Sequence, residues 1–268
     1  MKIVKLCLLL TANCLLFFSC TVNSAKVDNS LKKYFDDNSV DGCFTMLNNI
    51  NGEVTVYNMP LDTQRFSPAS TFKIVNSLIG LQTGRITDEN MVIKWDGMKG
   101  PQFPEMNMIK AFHLSDEYYY QEVARRIGGD TMKMWIDSIG YGNKDIDGPI
   151  DSFWFNNHLR ISADEQLGLM KRLYFDQLPF RKSAQQIVRD MMLQENNTTY
   201  KLSSITSWGK DEKGNDLGWL TGWIEENNHV YFFVTFVRAT KPGTDIMDVN
   251  KKITEGILKD LGFMQGKM

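Results

Sequence analysis

The distribution of apolar residues predicts two β-hairpins, one near each end of the folded chain. Residues 42–47 and 53–57 are rich in apolar and β-branched side chains, and the asparagines and glycine between them favour a turn. Residues 218–224 and 230–237 form a second pair of apolar runs, separated by polar residues. Each pair is therefore predicted to be two antiparallel strands joined by a turn.

Most of the chain between these hairpins, and the segment after the second one, has helical periodicity. An apolar segment begins after Pro68, and Val75, Leu78 and Ile79 lie on one face of it. Residues 246–261 repeat the pattern, with apolar side chains every three or four positions. The sequence thus predicts helices in the middle of the chain and a closing helix at its end.

The order of strands, helices, strands and a final helix indicates an α/β fold of the α+β kind. We expect a central antiparallel sheet that is built from both ends of the chain and flanked by N- and C-terminal helices. A helical subdomain, over roughly residues 78–198, is inserted between the strands. Binding clefts form where such subdomains meet, and the helix that follows Pro68 lies at this junction.

The first twenty residues have the composition of an export signal. Lys2 and Lys5 precede an apolar run that is too short for a membrane-spanning helix. The residues that end at Cys20 resemble the end of a bacterial lipoprotein signal. We interpret residues 1–20 as a signal peptide with a lipobox. The alternative is an ordinary signal peptide with an incidental cysteine.

This interpretation sets the expected domain organisation and location. Lipidated Cys20 becomes the first residue of the mature protein, residues 21–38 form a tether, and one domain spans residues 39–265. The protein is then exported to the periplasmic side of a membrane and is held there by its lipid anchor.

Charge and composition exclude several functions. The 268-residue chain has a formal net charge of -2, whereas nucleic-acid-binding proteins carry a basic surface, so we expect no nucleic-acid partner. Three of the four cysteines precede residue 21, which leaves Cys43 as a buried apolar residue without a disulfide partner. The histidines lack metal-ligand spacing, and we expect no metal. The sequence has neither a G-x-S-x-G motif nor a glycine-rich phosphate loop.

The helix that follows Pro68 also carries a pair of residues suited to nucleophilic catalysis. A serine hydroxyl needs a base within hydrogen-bond reach, and Lys73 follows Ser70 by three positions, on the same face of a helix. Burial can lower the pKa of such a lysine, and helix N-termini offer N–H groups to an oxyanion. The Ser-x-x-Lys pattern also occurs at Ser30 and Ser207, but only Ser70 opens an apolar helix. The alternative is a helix-capping serine beside a solvated lysine.

From about residue 42 to residue 261, the chain resembles the class D, oxacillinase-type serine β-lactamases of the penicillin-binding superfamily. Residues 68–78, Pro-Ala-Ser-Thr-Phe-Lys-Ile-Val-Asn-Ser-Leu, match the active-site signature of that family throughout. Further matches follow in the order of the family: Ser115 at the end of residues 112–115, residues 120–128, residues 141–143, Trp154, residues 159–162 and residues 219–223. The resemblance implies the fold of that family and its reaction, the hydrolysis of β-lactam antibiotics.

The resemblance implies a role for four matched residues. Ser70 attacks the β-lactam carbonyl and forms an acyl-enzyme, and Lys73, carbamylated by carbon dioxide, is the general base in both half-reactions. Trp154 supports the carbamate by hydrogen bonding, and Ser115 relays protons and contacts the substrate. From the residues alone, Trp154 is also compatible with core packing, and Ser115 with the N-cap of the next helix.

The substrate-binding strand departs from the family pattern. Lys-Thr-Gly is replaced by Ile205-Thr206-Ser207, and a matched Trp208 follows, so we expect Thr206, Ser207 and Trp208 to bind substrate. Asn250 stands where the family has an arginine that binds the substrate carboxylate. Ile205 and Asn250 thus remove two cations. A hydrogen bond to a charged group contributes about 1.5–3 kcal/mol, so the two losses weaken recognition by a few powers of ten.

Three other cations are candidates to compensate for this loss. They are Lys210, Arg238 and Lys251, which follow the substrate-binding strand in the sequence. Each is alternatively a solvated surface charge, because the sequence does not place their side chains relative to Ser70.

A third departure adds an acid next to the catalytic pair. The Ser-x-Val motif of the family becomes Ser115-Asp116-Glu117. Glu117 could pair with Lys73 and hold it charged, which opposes carbamylation, or it could itself act as the base. The alternative is that Glu117 faces solvent in the first turn of a helix, where acids are favoured.

Three functions are consistent with these observations. The first is an enzyme, a β-lactamase that turns over through acyl-Ser70. The second is a binding module, a penicillin sensor or homologue that is acylated without turnover. The third is an acyltransferase or hydrolase of cell-wall peptides on the same scaffold. A β-lactam or a cell-wall peptide is the expected small-molecule partner in each case.

Overall fold

The structure is a computed structural model that describes residues 25–94 and 105–265. The expected signal peptide and Cys20 lie outside the described residues. The strands are β1 (Ala25–Val27), β2 (Val40–Asn48), β3 (Val54–Tyr57), β4 (Val92–Ile93), β5 (Met106–Asn107), β6 (Leu193–Asn196), β7 (Tyr200–Lys210), β8 (Asp216–Glu226) and β9 (His229–Ala239). The helices are α1 (Lys32–Asp36), α2 (Met59–Thr63), α3 (Lys73–Gln82), α4 (Met108–Leu114), α5 (Glu117–Ile127), α6 (Gly129–Ile139), α7 (Ala163–Tyr174), α8 (Lys182–Met192) and α9 (Ile246–Asp260). None of the helices within these two ranges combines the length and apolarity needed to cross a membrane.

A seven-stranded sheet forms the centre of the fold, in the order β1-β3-β2-β9-β8-β7-β6. Both predicted hairpins are present, because β2 pairs with β3 and β8 pairs with β9 in antiparallel register. Strands from both ends of the chain therefore share one sheet, and the predicted fold class is confirmed. One pair departs from the expected antiparallel pattern, since β1 runs parallel to β3.

Helices cover both faces of this sheet. On one face, α9 packs the apolar stripe predicted from its sequence, including Ile246, Ile253 and Ile257, against Phe44 and Phe233 of the sheet. On the other face, a larger apolar core surrounds α3, in which every residue of the first nine is buried. The helix that follows Ser70 is thus enclosed on all sides.

The helical insertion is shorter than predicted, and several strands outside the two hairpins were not predicted from the apolar pattern. Helix α8 ends at Met192, and Leu193 begins β6, which is the edge strand of the main sheet. Strand β7 was expected only through the family resemblance and not from its own pattern, because Ser203, Ser204 and Ser207 are buried in it. Serines at buried positions remove the alternation of apolar and polar residues by which a strand is recognised.

The structure describes residues 25–38 of the expected tether, and for these residues the prediction of a tether is wrong. Ala25 begins β1, which pairs with β3, and α1 packs Phe35 into the core beneath the sheet. A Cβ atom on Gly42 would lie 2.5 Å from the ring of Phe35, so the glycine is what allows this ring to approach β2. Residues 25–38 are therefore part of the folded domain.

This correction predicts a large effect of Phe35→Ala on stability. Removing a buried phenylalanine ring should lower the free energy of unfolding by about 3–5 kcal/mol. Val27→Ala is the matched control, since Val27 lies in β1 but is 51% exposed, and it should change stability by less than about 0.5 kcal/mol. Urea unfolding measures both. Equal, small effects would mean that the segment is a tether after all.

Candidate active site

Ser70 lies in a tight turn that leads directly into α3. Residues Ala69–Phe72 form a turn of 3-10 helix, and the α-helix begins at Lys73. Ala69 has φ +47°, a left-handed conformation that is unfavourable for a residue with a side chain. Two hydrogen bonds to the Trp154 carbonyl hold it, from the Ala69 N–H at 3.2 Å and from the Ser67 hydroxyl at 2.6 Å. Strained backbone of this kind is typical of functional sites.

Lys73, three positions after Ser70, is buried, and its amine has two hydrogen-bond acceptors. Its Nζ donates to the Ser115 hydroxyl at 2.6 Å and to the Phe112 carbonyl at 3.0 Å. Burial lowers the pKa of Lys73 to about 7. A neutral amine has two N–H bonds and one lone pair, so these two contacts use both donors and leave the lone pair free to accept a proton.

Ser115 ends α4, and this position corrects one expectation. Its φ of +53° places it in the left-handed conformation of a helix C-cap, where the chain turns from α4 into α5. The N-cap of α5 is Asp116, whose carboxylate accepts from the Tyr119 N–H at 2.7 Å. The N-cap interpretation of Ser115 is therefore wrong, and its hydroxyl is directed to Lys73 instead.

The substrate-binding residues expected from the sequence lie on the open part of β7. Strand β6 pairs with β7 only as far as Ser203, so residues 204–210 have a strand partner on one side, β8, within the described chain. Ser207 is buried and donates to the Pro68 carbonyl at 3.4 Å. Gly209 allows this close approach, because a Cβ on it would lie 2.8 Å from the Cβ of Ala69. An open strand edge can bind an extended ligand through its backbone.

A cavity of about 400 Å³ joins these elements, and we call it the nucleophile cavity. Its wall includes Ser70, Ser115, Glu117, Ser207 and Trp208. The structure therefore brings together residues that are far apart in the chain but were predicted to form one site. It also adds two residues that the sequence did not reveal, Phe155 and Met247, which belong to no recognisable motif.

Glu117 lines the nucleophile cavity without contacting Lys73. It is the first residue of α5, is exposed, and accepts from the Gln121 amide at 2.9 Å. Burial by its surroundings, followed by the negative charge of Asp116, raises the pKa of Glu117. An ion pair between Glu117 and Lys73, one of the alternatives for Glu117, is not among the ion pairs of residues 25–94 and 105–265, where Lys73 donates to Ser115 and Phe112 instead. Glu117 thus faces solvent and also lies in the wall of the cavity that contains Ser70.

Trp154 combines packing with support of the Ser70 turn. Its ring is buried and stacks on Phe72 with centroids 5.4 Å apart, and its carbonyl holds Ser67 and Ala69. Core packing, one of the two interpretations of Trp154, is therefore present.

Cys43 is buried and free, as predicted.

Ile205 and Asn250, which stand where the family has cations, place no positive charge in the site. Ile205 is buried among apolar side chains. Asn250 is buried as well, and its amide donates to the Thr235 carbonyl at 3.4 Å.

Outside the nucleophile cavity, Asp145, Asp147 and His158 bring ligand atoms within 4.8 Å of one another on an exposed loop of the described chain.

Comparison with known proteins identifies the family. Residues 42–261 match the penicillin binding protein transpeptidase domain, and the chain belongs to this family. Within it, the chain is similar to class D β-lactamases: it is 38% identical to the probable β-lactamase YbxI of Bacillus subtilis over 91% of this chain and 87% of that protein.

Two solved structures show the same fold. The class D β-lactamase from Sebaldella termitidis superimposes with a TM-score of 0.85 at 30% identity, covering 91% of this chain and 100% of that one. The C-terminal domain of the Bacillus licheniformis BlaR penicillin-receptor superimposes with a TM-score of 0.82 at 28% identity, covering 89% and 96%. The family thus contains both enzymes and a receptor domain.

Proposed function

We propose that this protein hydrolyses β-lactam antibiotics through an acyl-enzyme on Ser70. One observation carries the proposal: the amine of Lys73, three positions after Ser70, is buried and donates to the Ser115 hydroxyl at 2.6 Å, and this burial lowers its pKa to about 7. The similarity to class D β-lactamases supports the same substrate class.

Acylation begins with proton transfer from Ser70. The lone pair of Lys73 takes the hydroxyl proton, and the Ser70 oxygen forms a bond to the β-lactam carbonyl carbon. The backbone N–H of Ser70 stabilises the oxyanion in this proposal, because the neighbouring N–H groups of Ala69 and Thr71 already donate to the Trp154 and Pro68 carbonyls. The amide C–N bond then breaks, and the leaving nitrogen receives a proton from Lys73 through the Ser115 hydroxyl.

Deacylation needs a base that activates water. Water attacks the acyl carbonyl, the base takes its proton, and the bond to the Ser70 oxygen breaks as that oxygen regains a proton. We propose Lys73 as the base in both half-reactions. Carbamylation requires a neutral amine, which burial favours by lowering the pKa of Lys73 to about 7, and in the carbamylated form a carbamate oxygen would replace the lone pair as the proton acceptor in both steps. Carbamylated Lys73 would offer a carboxylate-like proton acceptor here, and Trp154, which packs on Phe72 of the same turn, would support it. Glu117, in the cavity wall, is the alternative base.

The open edge of β7 aligns the substrate in this proposal. Ser207 and Trp208 line the nucleophile cavity together with Ser70, whereas Thr206, on the same open edge, lines a second cavity that Ser115 also borders. Trp208 is 48% exposed, and its indole N–H donates to Asp216 at 3.0 Å, which fixes the ring at the cavity mouth. This arrangement suits a small acyl substrate with an apolar substituent.

Turnover distinguishes the enzyme from a sensor, the second candidate, which the likeness to the BlaR penicillin-receptor domain favours. We expect sustained hydrolysis of a chromogenic cephalosporin by the wild-type protein and none by Ser70→Ala. Ser30→Ala, which alters another Ser-x-x-Lys serine, is the control and should retain full activity. A single stoichiometric burst without further turnover would instead identify a receptor.

Carbamylation predicts a specific NMR signal. Protein incubated with ¹³C-bicarbonate should show a carbamate resonance that is absent from Lys73→Arg, because the guanidinium stays protonated. A resonance that is absent from the wild type but present in Glu117→Val would show that Glu117 opposes carbamylation. Its absence from both proteins would contradict the carbamate.

We also propose that the protein is exported and anchored through a lipid on Cys20. The composition of the first twenty residues supports this location. In cells, Cys20→Ser should move the protein from the membrane fraction to the soluble fraction, whereas Cys14→Ser should leave it at the membrane. Identical fractionation of the two variants would contradict the anchor.

A further inference from the structure

A second cavity, of about 210 Å³, lies beside the nucleophile cavity, and we call it the edge cavity because it follows the open edge of β7. Its wall includes Lys73 but not Ser70, whereas the wall of the nucleophile cavity includes Ser70 but not Lys73. Ser115 borders both cavities. Among the described residues, the nucleophile and its base are therefore reached from different sides.

The residues around Lys73 indicate that its amine, rather than its carbon chain, faces the edge cavity. Both residues that accept its N–H bonds, Ser115 and Phe112, line the same cavity. The Nζ atom also lies 5.1 Å from the centre of the Phe112 ring. Lys73 is only 3% exposed, so a molecule that reaches this amine must be small.

The wall that β7, β8 and β9 contribute to the edge cavity includes apolar side chains. Ile205, Leu220 and Phe233 line the cavity, and all three are buried. A lysine at position 205, as in the family pattern, would add an ammonium group to this wall, whereas isoleucine leaves it neutral. Burial next to apolar groups disfavours charge, so this wall suits an uncharged ligand and the neutral form of Lys73.

Charged side chains also line the edge cavity, and their balance is negative. They are Glu195 of β6 and, from α9, Lys251 and Glu255, whose charged groups lie 3.8 Å apart. With Lys73 neutral, two carboxylates stand against one ammonium group. Anions such as bicarbonate are therefore disfavoured in this cavity, whereas an uncharged molecule is not repelled.

We propose that the edge cavity is the route by which carbon dioxide reaches the amine of Lys73. The proposal rests on the carbamylation of Lys73 proposed above. Carbon dioxide is small and carries no net charge, so it fits a passage that is apolar in part and disfavours anions. An acyl group on Ser70 occupies the nucleophile cavity and leaves this route open. A lysine that has lost its carbamate can then regain it before deacylation.

The chemical step at the end of this route is an addition to the carbon of carbon dioxide. The nitrogen lone pair of Lys73 forms a bond to that carbon, and the electron pair of one C=O π bond moves to its oxygen. A proton passes from the nitrogen to water, which leaves a carbamate with one negative charge. The step requires the neutral amine, which burial favours by lowering the pKa of Lys73 to about 7.

The test measures how fast the carbamate resonance appears by ¹³C NMR after protein freed of carbon dioxide is mixed with ¹³CO₂. Gln194→Trp narrows the edge cavity from an exposed position on β6, and Leu220→Phe narrows it from its buried wall. Each should slow the appearance of the carbamate by about tenfold. The final amount of carbamate should match the wild type, because a barrier on the route slows entry and exit equally.

Four control variants separate access from other effects. Gln194→Ala removes the amide that donates to the Ser204 carbonyl at 3.1 Å but adds no bulk. Asn196→Trp and Ile224→Phe make matched changes on the same two strands at positions that do not line the edge cavity. Met247→Trp narrows the nucleophile cavity instead. The rate of carbamate formation should stay at the wild-type value in all four.

A second comparison identifies the molecule that enters. Wild-type protein is mixed with ¹³CO₂ or with ¹³C-bicarbonate at the same pH and total concentration. The carbamate should form at once from carbon dioxide and after a lag from bicarbonate, and added carbonic anhydrase should abolish the lag. Equal initial rates without carbonic anhydrase would mean that the anion enters, which contradicts the proposal.

Other outcomes would also overturn the proposal. Unchanged rates in Gln194→Trp and Leu220→Phe would overturn the route while leaving the carbamate in place. Equal slowing by Met247→Trp would assign entry to the nucleophile cavity. A reduced final amount of carbamate in both narrowing variants would assign their effect to the amine of Lys73 rather than to access. A wild-type protein without any carbamate resonance would overturn the proposed carbamylation, and this route with it.

Discussion

The site depends on one buried group, the amine of Lys73. Burying a charged ammonium is costly, and the fold avoids that cost by favouring the neutral form. The Phe112 carbonyl and the Ser115 hydroxyl accept the two N–H bonds of that form. The remaining lone pair is available for the proton of Ser70. A lysine that would be inert as a base in water thereby becomes suited to acyl transfer near neutral pH.

The surrounding fold is arranged to hold this geometry. The left-handed backbone at Ser115 ends α4 at the point where its hydroxyl meets Lys73. The strained backbone at Ala69 is held by the Trp154 carbonyl, and Gly209 leaves room for β7 to approach the same turn. These contacts join three distant parts of the chain. Disturbing any one of them should therefore displace the nucleophile relative to its base.

Sequence reasoning was most successful where signals are local. The pairing of Ser70 with Lys73 and the apolar stripe of α9 follow from helical periodicity, and the two hairpins follow from apolar runs interrupted by turns. The position of Ser115 was identified through a family motif rather than from its own surroundings. Its place at the end of α4 depends on how two helices meet, which a short pattern does not encode.

Other features depend on contacts between distant residues, and the sequence could not define them. The apolar pattern does not predict β7, which only the family resemblance implied, because buried serines interrupt it. Residues 25–38 are folded because Phe35 fits against Gly42. The difference between Lys251 and the other two candidate cations lies in the acids that each one meets in space. The sequence alone does not distinguish Lys210, Arg238 and Lys251, because each contributes one positive charge.

The central claim, that neutral Lys73 is the base for acylation, is tested most directly by the pH dependence of that step. The second-order rate constant for acylation of Ser70 by a penicillin is measured by stopped flow between pH 5 and about pH 10, the range that separates the two pKa values at issue. Because Lys73 must be unprotonated, the account predicts a rate that rises through pH 7 and is constant above it. A rate that rises only near the pKa of an ordinary lysine, about 10.4, would contradict it.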